Sequence, residues 1–276
     1  RQEGHRVGDP KHFDDEKRVQ LFEVAAPGVY PQTDEYRRTT AMVHVDDQNS
    51  YAVDFFNIEG GDDHRFSFHG WVGNVSTDGL DLVEQDGGTY AGPDVPMPEN
   101  VANPDSTYND EVGNGFNYLD NVARDQEPST KASVDWDIED YWNNRSDDAD
   151  VHLRLTMLGD HDEIAVMDGH GPDTDNQPDV IQYAIARRTG EDLSSTFTSV
   201  IEPYVANRFV EVVESVEVTT EDGAPADARA VKVELSNGRT DYVARGSDTD
   251  TMYEVGDAFK FQGFFALYSE RDGEPV

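Results

Sequence analysis

The chain has 276 residues, 36% hydrophobic and 10% aromatic, enough apolar sequence for a large core in one or two domains. It carries 58 acidic against 21 basic residues, a formal net charge of −37, and no cysteine. That balance excludes disulfide scaffolding and makes nucleic acid and anionic membranes poor partners, while no apolar run approaches the length of a membrane span.

Aromatic and β-branched content is too high for charge-driven disorder, so the acidic surplus reads as adaptation to molar salt. There the screening length falls to about 3 Å, and surface carboxylates cease to repel one another at a distance. Lysine is scarce, at Lys11, Lys17, Lys131, Lys232 and Lys260, and arginine supplies the remaining positive charge. The expectation is a halophilic source and an extracellular or cell-surface location. Dialysis from about 3 M to about 0.01 M salt lengthens screening to about 30 Å. The β-signal in circular dichroism and the melting temperature should both fall; equal melting temperatures at the two salt concentrations would remove the halophilic reading.

In chain order, residues 1–15 are polar and irregular, contain His5 and His12, and begin with neither Met nor a targeting pattern. They read as the start of a piece of something longer, or of a processed product. Residues 18–25 alternate as a strand and stop at Pro27-Gly28. A tyrosine-rich stretch holding Arg37 and Arg38 then leads to a strand at 41–45. Residues 51–58 and 66–71 are apolar runs on either side of Gly60-Gly61-Asp62-Asp63, the pattern of a glycine-turned hairpin. Period-2 alternation puts Phe66 and Phe68 in a core, and Arg65, Ser67 and His69 on the opposite face.

Residues 73–150 are rich in Gly, Pro, Asn and Asp and read as a long, loop-rich insertion, interrupted by short strands near 80–84, 118–124 and 133–138. Regular alternation returns at 151–158 and 163–168. It continues at 180–188, 195–202, 209–219, 228–235, 240–245 and 258–268, with Asn237-Gly238 as a two-residue hairpin turn. Strands at this spacing describe one all-β domain over residues 1–276, a large antiparallel two-sheet β-sandwich of jelly-roll or supersandwich type.

Candidate chemistry is sparse. His64 and His69 lie on opposite faces of their strand, a spacing that disfavours one metal held by both, since ligands on a strand prefer i and i+2. They either order a turn or line a groove. His161, Asp168 and His170 with Asp173, Asp175 and Asp179 offer zinc- or calcium-type donors. Neither a sixth-position Gly nor a closing Glu is present, so no metal site is assigned. Arg37, Arg38, Arg65, Arg187, Arg188 and Arg245 stand out against the carboxylates. They serve either as clamps for a polyanion or as partners of the chain's own acids. No GxSxG or HExxH motif occurs.

The stretch YAVDFFNIEGGDDHRFSFHG resembles the C-terminal β-sandwich of heparinase II/III-like polysaccharide lyases, whose pattern is DxFRxxGG followed by HxxSFHG. Further matches follow in order: YRRTTAMV before it, then VDWDI, VHLRLTML, VMDGHGP, STFTSVIEPY and NGRTDYV. Asn57 stands where that family has an arginine. The resemblance implies β-elimination on a uronate-containing, acidic polysaccharide. The family's catalytic Asn, His and Tyr sit in an upstream α-helical toroid, and its metal-binding residues also precede Arg1. It therefore implies a chain with no cofactor or catalytic residue of its own, inactive in isolation. Its partners would be that toroid and the polysaccharide, and His64, Arg65, His69, Arg37, Arg38, Arg187 and Arg188 are candidates for the substrate cleft or domain interface. The alternatives are a non-catalytic carbohydrate-binding or cell-surface module and a purely structural assembly domain.

Overall fold

The computed structural model describes residues 8–98, 115–145, 149–171 and 178–276. In chain order its strands are β1 (Asp9–Asp15), β2 (Val19–Ala25), β3 (Glu35–His44), β4 (Ser50–Glu59), β5 (Asp63–His69), β6 (Gly73–Asp78) and β7 (Val83–Glu84). A 3-10 turn at Gly115–Tyr118 precedes β8 (Leu119–Asp125), β9 (Lys131–Ile138), β10 (Val151–Leu158), β11 (Glu163–His170), β12 (Val180–Thr189) and β13 (Ser194–Val205). The C-terminal part holds β14 (Val210–Val216), β15 (Val218–Thr220), β16 (Arg229–Leu235), β17 (Arg239–Arg245), β18 (Met252–Val255), β19 (Phe259–Gln262), β20 (Phe265–Arg271) and β21 (Glu274–Pro275).

The strands form the expected antiparallel, all-β sandwich, but with four sheets where two were expected. A central eight-stranded sheet runs β1-β2-β3-β4-β13-β10-β9-β6, and a second sheet runs β5-β12-β11-β8-β7. A third runs β14-β16-β17-β20-β21, with a small sheet β15-β18-β19 beyond it. Alternation along β4 shows how they stack. Tyr51, Val53 and Phe55 pack with Val231, Val233 and Val243 of the third sheet. Phe56 and Ile58 pack with Phe66, Ala184 and Ala186 of the second. Period 2 on a strand buried on both faces thus yields two cores on opposite sides of one sheet. Ala230, Ala244 and Tyr242, on the far face of the third sheet, pack with Tyr253, Val255 and Phe261 of the small sheet.

Residues 73–150 supply β6 and β9 to the central sheet and β7 and β8 to the second; part of that stretch lies outside the described residues. Three local expectations need correction. Residues 9–15, expected to be irregular, form β1 on the edge of the central sheet, with Phe13 paired to Phe22. The apolar runs 209–219 and 258–268, expected as single strands, are each divided between two sheets; Gly263, at φ 141°, lies at the second break. The runs around Gly60-Gly61 are strands, yet not a hairpin: β4 pairs with β3 and β13, whereas β5 pairs with β12. The glycine turn, with φ of 84° and 83°, carries the chain from one layer to the next. By contrast β16 and β17 pair directly across Asn237-Gly238, as their turn chemistry requires.

Candidate functional site

Of the seven candidates, Arg65, His69 and Arg187 share the outer face of the second sheet, where Arg65 pairs with Arg187 and His69 with Tyr183 across β5 and β12. Both arginines close on Asp63: Arg187 Nε and Nη2 donate at 2.9 and 3.0 Å, and Arg65 Nη2 at 2.7 Å. Arg65 also lies 4.7 Å from the centre of the Phe116 ring, and Arg124 lies 4.6 Å from that of Tyr90. Burial first, then the Glu163 charge, pushes the Tyr90 phenol up to about 12, against the pull of Arg65, Arg124 and Arg187. His69 is exposed, its Nδ1 2.9 Å from the Gly70 carbonyl.

The other four lie elsewhere. His64 is buried, with Nδ1 3.0 Å from Ser195 Oγ and Nε2 2.8 Å from the Gly60 carbonyl, so both ring nitrogens are engaged within the fold. Arg38 Nε donates to Asp54 at 2.8 Å, and Thr40 donates to the same oxygen at 2.7 Å. That partners Oδ1 of the wholly buried Asp54, while its Oδ2 is buried without a hydrogen-bond partner. Arg37 bridges Glu23 and Glu35. Arg188 donates to the Asp160 carbonyl at 2.9 Å. It lies beside His161, whose imidazole is pushed down to about 4 by burial and then by the Arg188 charge. Each of the six arginines singled out from the sequence, Arg245 included, lies near an acidic residue or its carbonyl.

His161 lies in the turn before β11 and His170 at its far end, and the strand between, Glu163–His170, is about 23 Å long at the usual rise. His170 Nε2 instead meets Asp120 at 2.7 Å, and Asp168 accepts from Asn121 and Gln182. Asp173 and Asp175 lie outside the described residues.

A polar cluster lies on the central sheet, on the face turned towards the third sheet. Because Asp135 pairs with Arg154 and Asp137 with His152 across β9 and β10, alternation puts Ser133, Asp135, Asp137, His152, Arg154 and Thr156 on one face. Asp135 is the hub. It accepts from Tyr204 Oη at 2.8 Å and Arg154 Nη1 at 3.3 Å, and lies 2.8 Å from His152 Nδ1. The His152 and Tyr204 rings stack at 4.7 Å with 6° between their planes. Burial disfavours the charged form of His152, but Asp135 and Asp150 outweigh it and raise the imidazole above its ordinary range. Burial, then the Asp135 bond, also raises the Tyr204 phenol, which therefore stays protonated and serves as a donor rather than a base.

Next to this cluster Glu202, 2% exposed, accepts from Arg208 at 2.8 Å and from the Phe209 and Val210 amides at 3.1 and 2.9 Å, which fixes the exit of the chain into β14. Sequence reading picked out none of these residues as a site. Their one local signal is the i, i+2 pair repeated in VDWDI and VHLRLTML.

No family model and no curated protein matches the chain. Among solved structures, the heparan sulfate lyase HepC from Pedobacter heparinus is similar over 83% of this chain with a TM-score of 0.36 and 8% identity, and the chain spans 26% of the length of that lyase.

Proposed function

We propose that this chain is the β-sandwich part of a heparinase II/III-like polysaccharide lyase, acting on a uronate-containing polysaccharide together with an upstream helical toroid. What supports the reading is the order of the matching stretches. YRRTTAMV falls in β3, YAVDFFNIE in β4, HRFSFH in β5, VDWDI in β9, VHLRLTML in β10, VMDGH in β11 and STFTSVIEPY in β13. Seven matches fall on strands of the central and second sheets, and an eighth, NGRTDYV, falls at the turn into β17 of the third.

Elimination at a uronate needs the carboxylate neutralised, a base at C5 and an acid at the leaving oxygen. The polar face of β9, β10 and β13 offers guanidinium and imidazole groups, but Asp135 already holds Arg154 and His152. These groups orient a wall of the cleft and leave proton transfer to the toroid. The isolated chain should then give no rise in the ultraviolet absorbance of unsaturated uronate products. Heparan-, alginate- and hyaluronan-like substrates in molar salt are the assay, and the parent polypeptide should turn over at least one. Turnover by the isolated chain would mean that its own residues are catalytic.

A non-catalytic carbohydrate-binding module is the second reading, favoured by one observation. Trp71, Tyr141 and Trp142 form an aromatic cluster, with ring centres 4.9 and 5.9 Å apart and Trp142 50% exposed, of the residue types that stack on sugars. Saturable polysaccharide binding without turnover by the parent polypeptide would decide for it.

A further inference from the structure

Where β9 ends and β10 begins, Asp137, Asp150 and His152 bring three ligand atoms within 4.8 Å of one another. Asp137 and His152 are cross-strand partners, so their side chains leave the same face side by side. Asp150 precedes His152 by two positions, and its Oδ1 stands 3.2 Å from His152 Nε2.

The other ring nitrogen is already committed, since Nδ1 lies 2.8 Å from Oδ1 of Asp135, a carboxylate only 5% exposed. A carboxylate on Nδ1 draws the proton to that side and turns the Nε2 lone pair towards Asp150 and Asp137. Three electron-pair donors, two of them negative, then face one point. Two arrangements relieve this: an imidazolium shared by Asp135 and Asp150, or a cation at the point of convergence.

The surrounding backbone holds both arms in place independently of the three ligands, so a cation at that point would need no rearrangement of the chain. Arg145 donates to the Ile138 carbonyl at 3.0 Å and to the Ala149 carbonyl at 2.9 Å, tying together the neighbours of Asp137 and Asp150. The Asp150 carbonyl in turn accepts the Ala206 amide at 2.7 Å. Tetrahedral zinc with bonds of about 2.0–2.2 Å sets its ligand atoms about 3.4 Å apart. Side-chain rotation of about 1 Å at the two exposed aspartates would reach that spacing. The geometry points to a divalent transition-metal site of the zinc class, built from Asp137, Asp150 and His152, with Asp135 orienting the imidazole. One nitrogen donor and two carboxylates suit zinc better than calcium or magnesium, which take oxygen donors, and leave a fourth position for water or a ligand. The inference is independent of the lyase reading.

Calorimetric titration of the whole chain with Zn²⁺, and the visible absorption of Co²⁺ in its place, test the site. One ion should bind per chain, with a tetrahedral cobalt spectrum and no displacement by equal Ca²⁺ or Mg²⁺. His152→Ala should abolish this binding, and Asp135→Asn should weaken it about 10–100-fold. Asp137 is exposed, so Asp137→Asn should fold normally and still lose about tenfold or more in affinity. No zinc binding, equal binding by wild type, His152→Ala and Asp137→Asn, or equal competition by Ca²⁺ would each overturn the site.

Discussion

Replacing Trp136 with alanine is expected to cost about 3–5 kcal/mol, the largest effect of any single truncation between the central and second sheets. Trp136 is wholly buried, and its indole N–H donates to the Gln182 carbonyl of β12 at 3.1 Å. Phe68 packs on the same ring with centroids 5.6 Å apart. The backbone closes over it at Gly70, where an added Cβ would meet the ring at 2.4 Å. A site enclosed in this way from two strands and a turn cannot collapse onto the lost volume. The melting temperature should drop by about 6–20 °C at this chain length. Phe22→Ala, at a residue 48% exposed, should stay within about 0.5 kcal/mol of wild type. Equal losses from the two substitutions would deny that the indole organises this core. Sequence alternation pointed instead to Phe66 and Phe68. Phe66 is 2% exposed as expected, whereas Phe68 is only partly buried.

Asp241→Ala should cost a comparable 3–5 kcal/mol, through electrostatics rather than volume. Asp241 is wholly buried between the central and third sheets. It accepts from Tyr51 Oη at 2.9 Å, Ser269 Oγ at 2.6 Å and Arg239 Nη2 at 2.8 Å. Arg239 also donates to the His44 carbonyl at 2.9 Å, so the network joins β17 and β20 to β3 and β4. Removing the carboxylate leaves a buried guanidinium without its counter-charge and a phenol without its acceptor. A double-mutant cycle with Arg239→Met is the check, read by denaturant unfolding. The double variant should lose clearly less than the sum of the singles, because the second substitution removes the charge that the first left unpaired. Additive losses would show that the pair is not coupled.

The strands themselves were legible from local sequence. Alternation at 51–58, 151–158 and 180–188 marked β4, β10 and β12 closely, and Asn237-Gly238 identified a true hairpin. These features depend on two or three neighbouring residues, and backbone and side-chain physics at that range is encoded locally. Gly60-Gly61 shows the limit. A glycine turn specifies positive φ, but the partner of each flanking strand is chosen by burial far along the chain, so the same turn chemistry serves a hairpin or a passage between sheets.

The rare arginines show a related limit, since charge counting cannot tell a guanidinium kept for a ligand from one holding a nearby acid. Arg187 on Asp63 and Arg38 on Asp54 are of the second kind. The cluster on β9 and β10 was decided by tertiary structure for the same reason. The i, i+2 spacing in VDWDI and VHLRLTML set which side chains share a face of each strand. Only the antiparallel register that opposes Asp137 to His152 brought those faces together. Local alternation fixes direction along one strand; register and the covering of sheets come from the whole core packing at once.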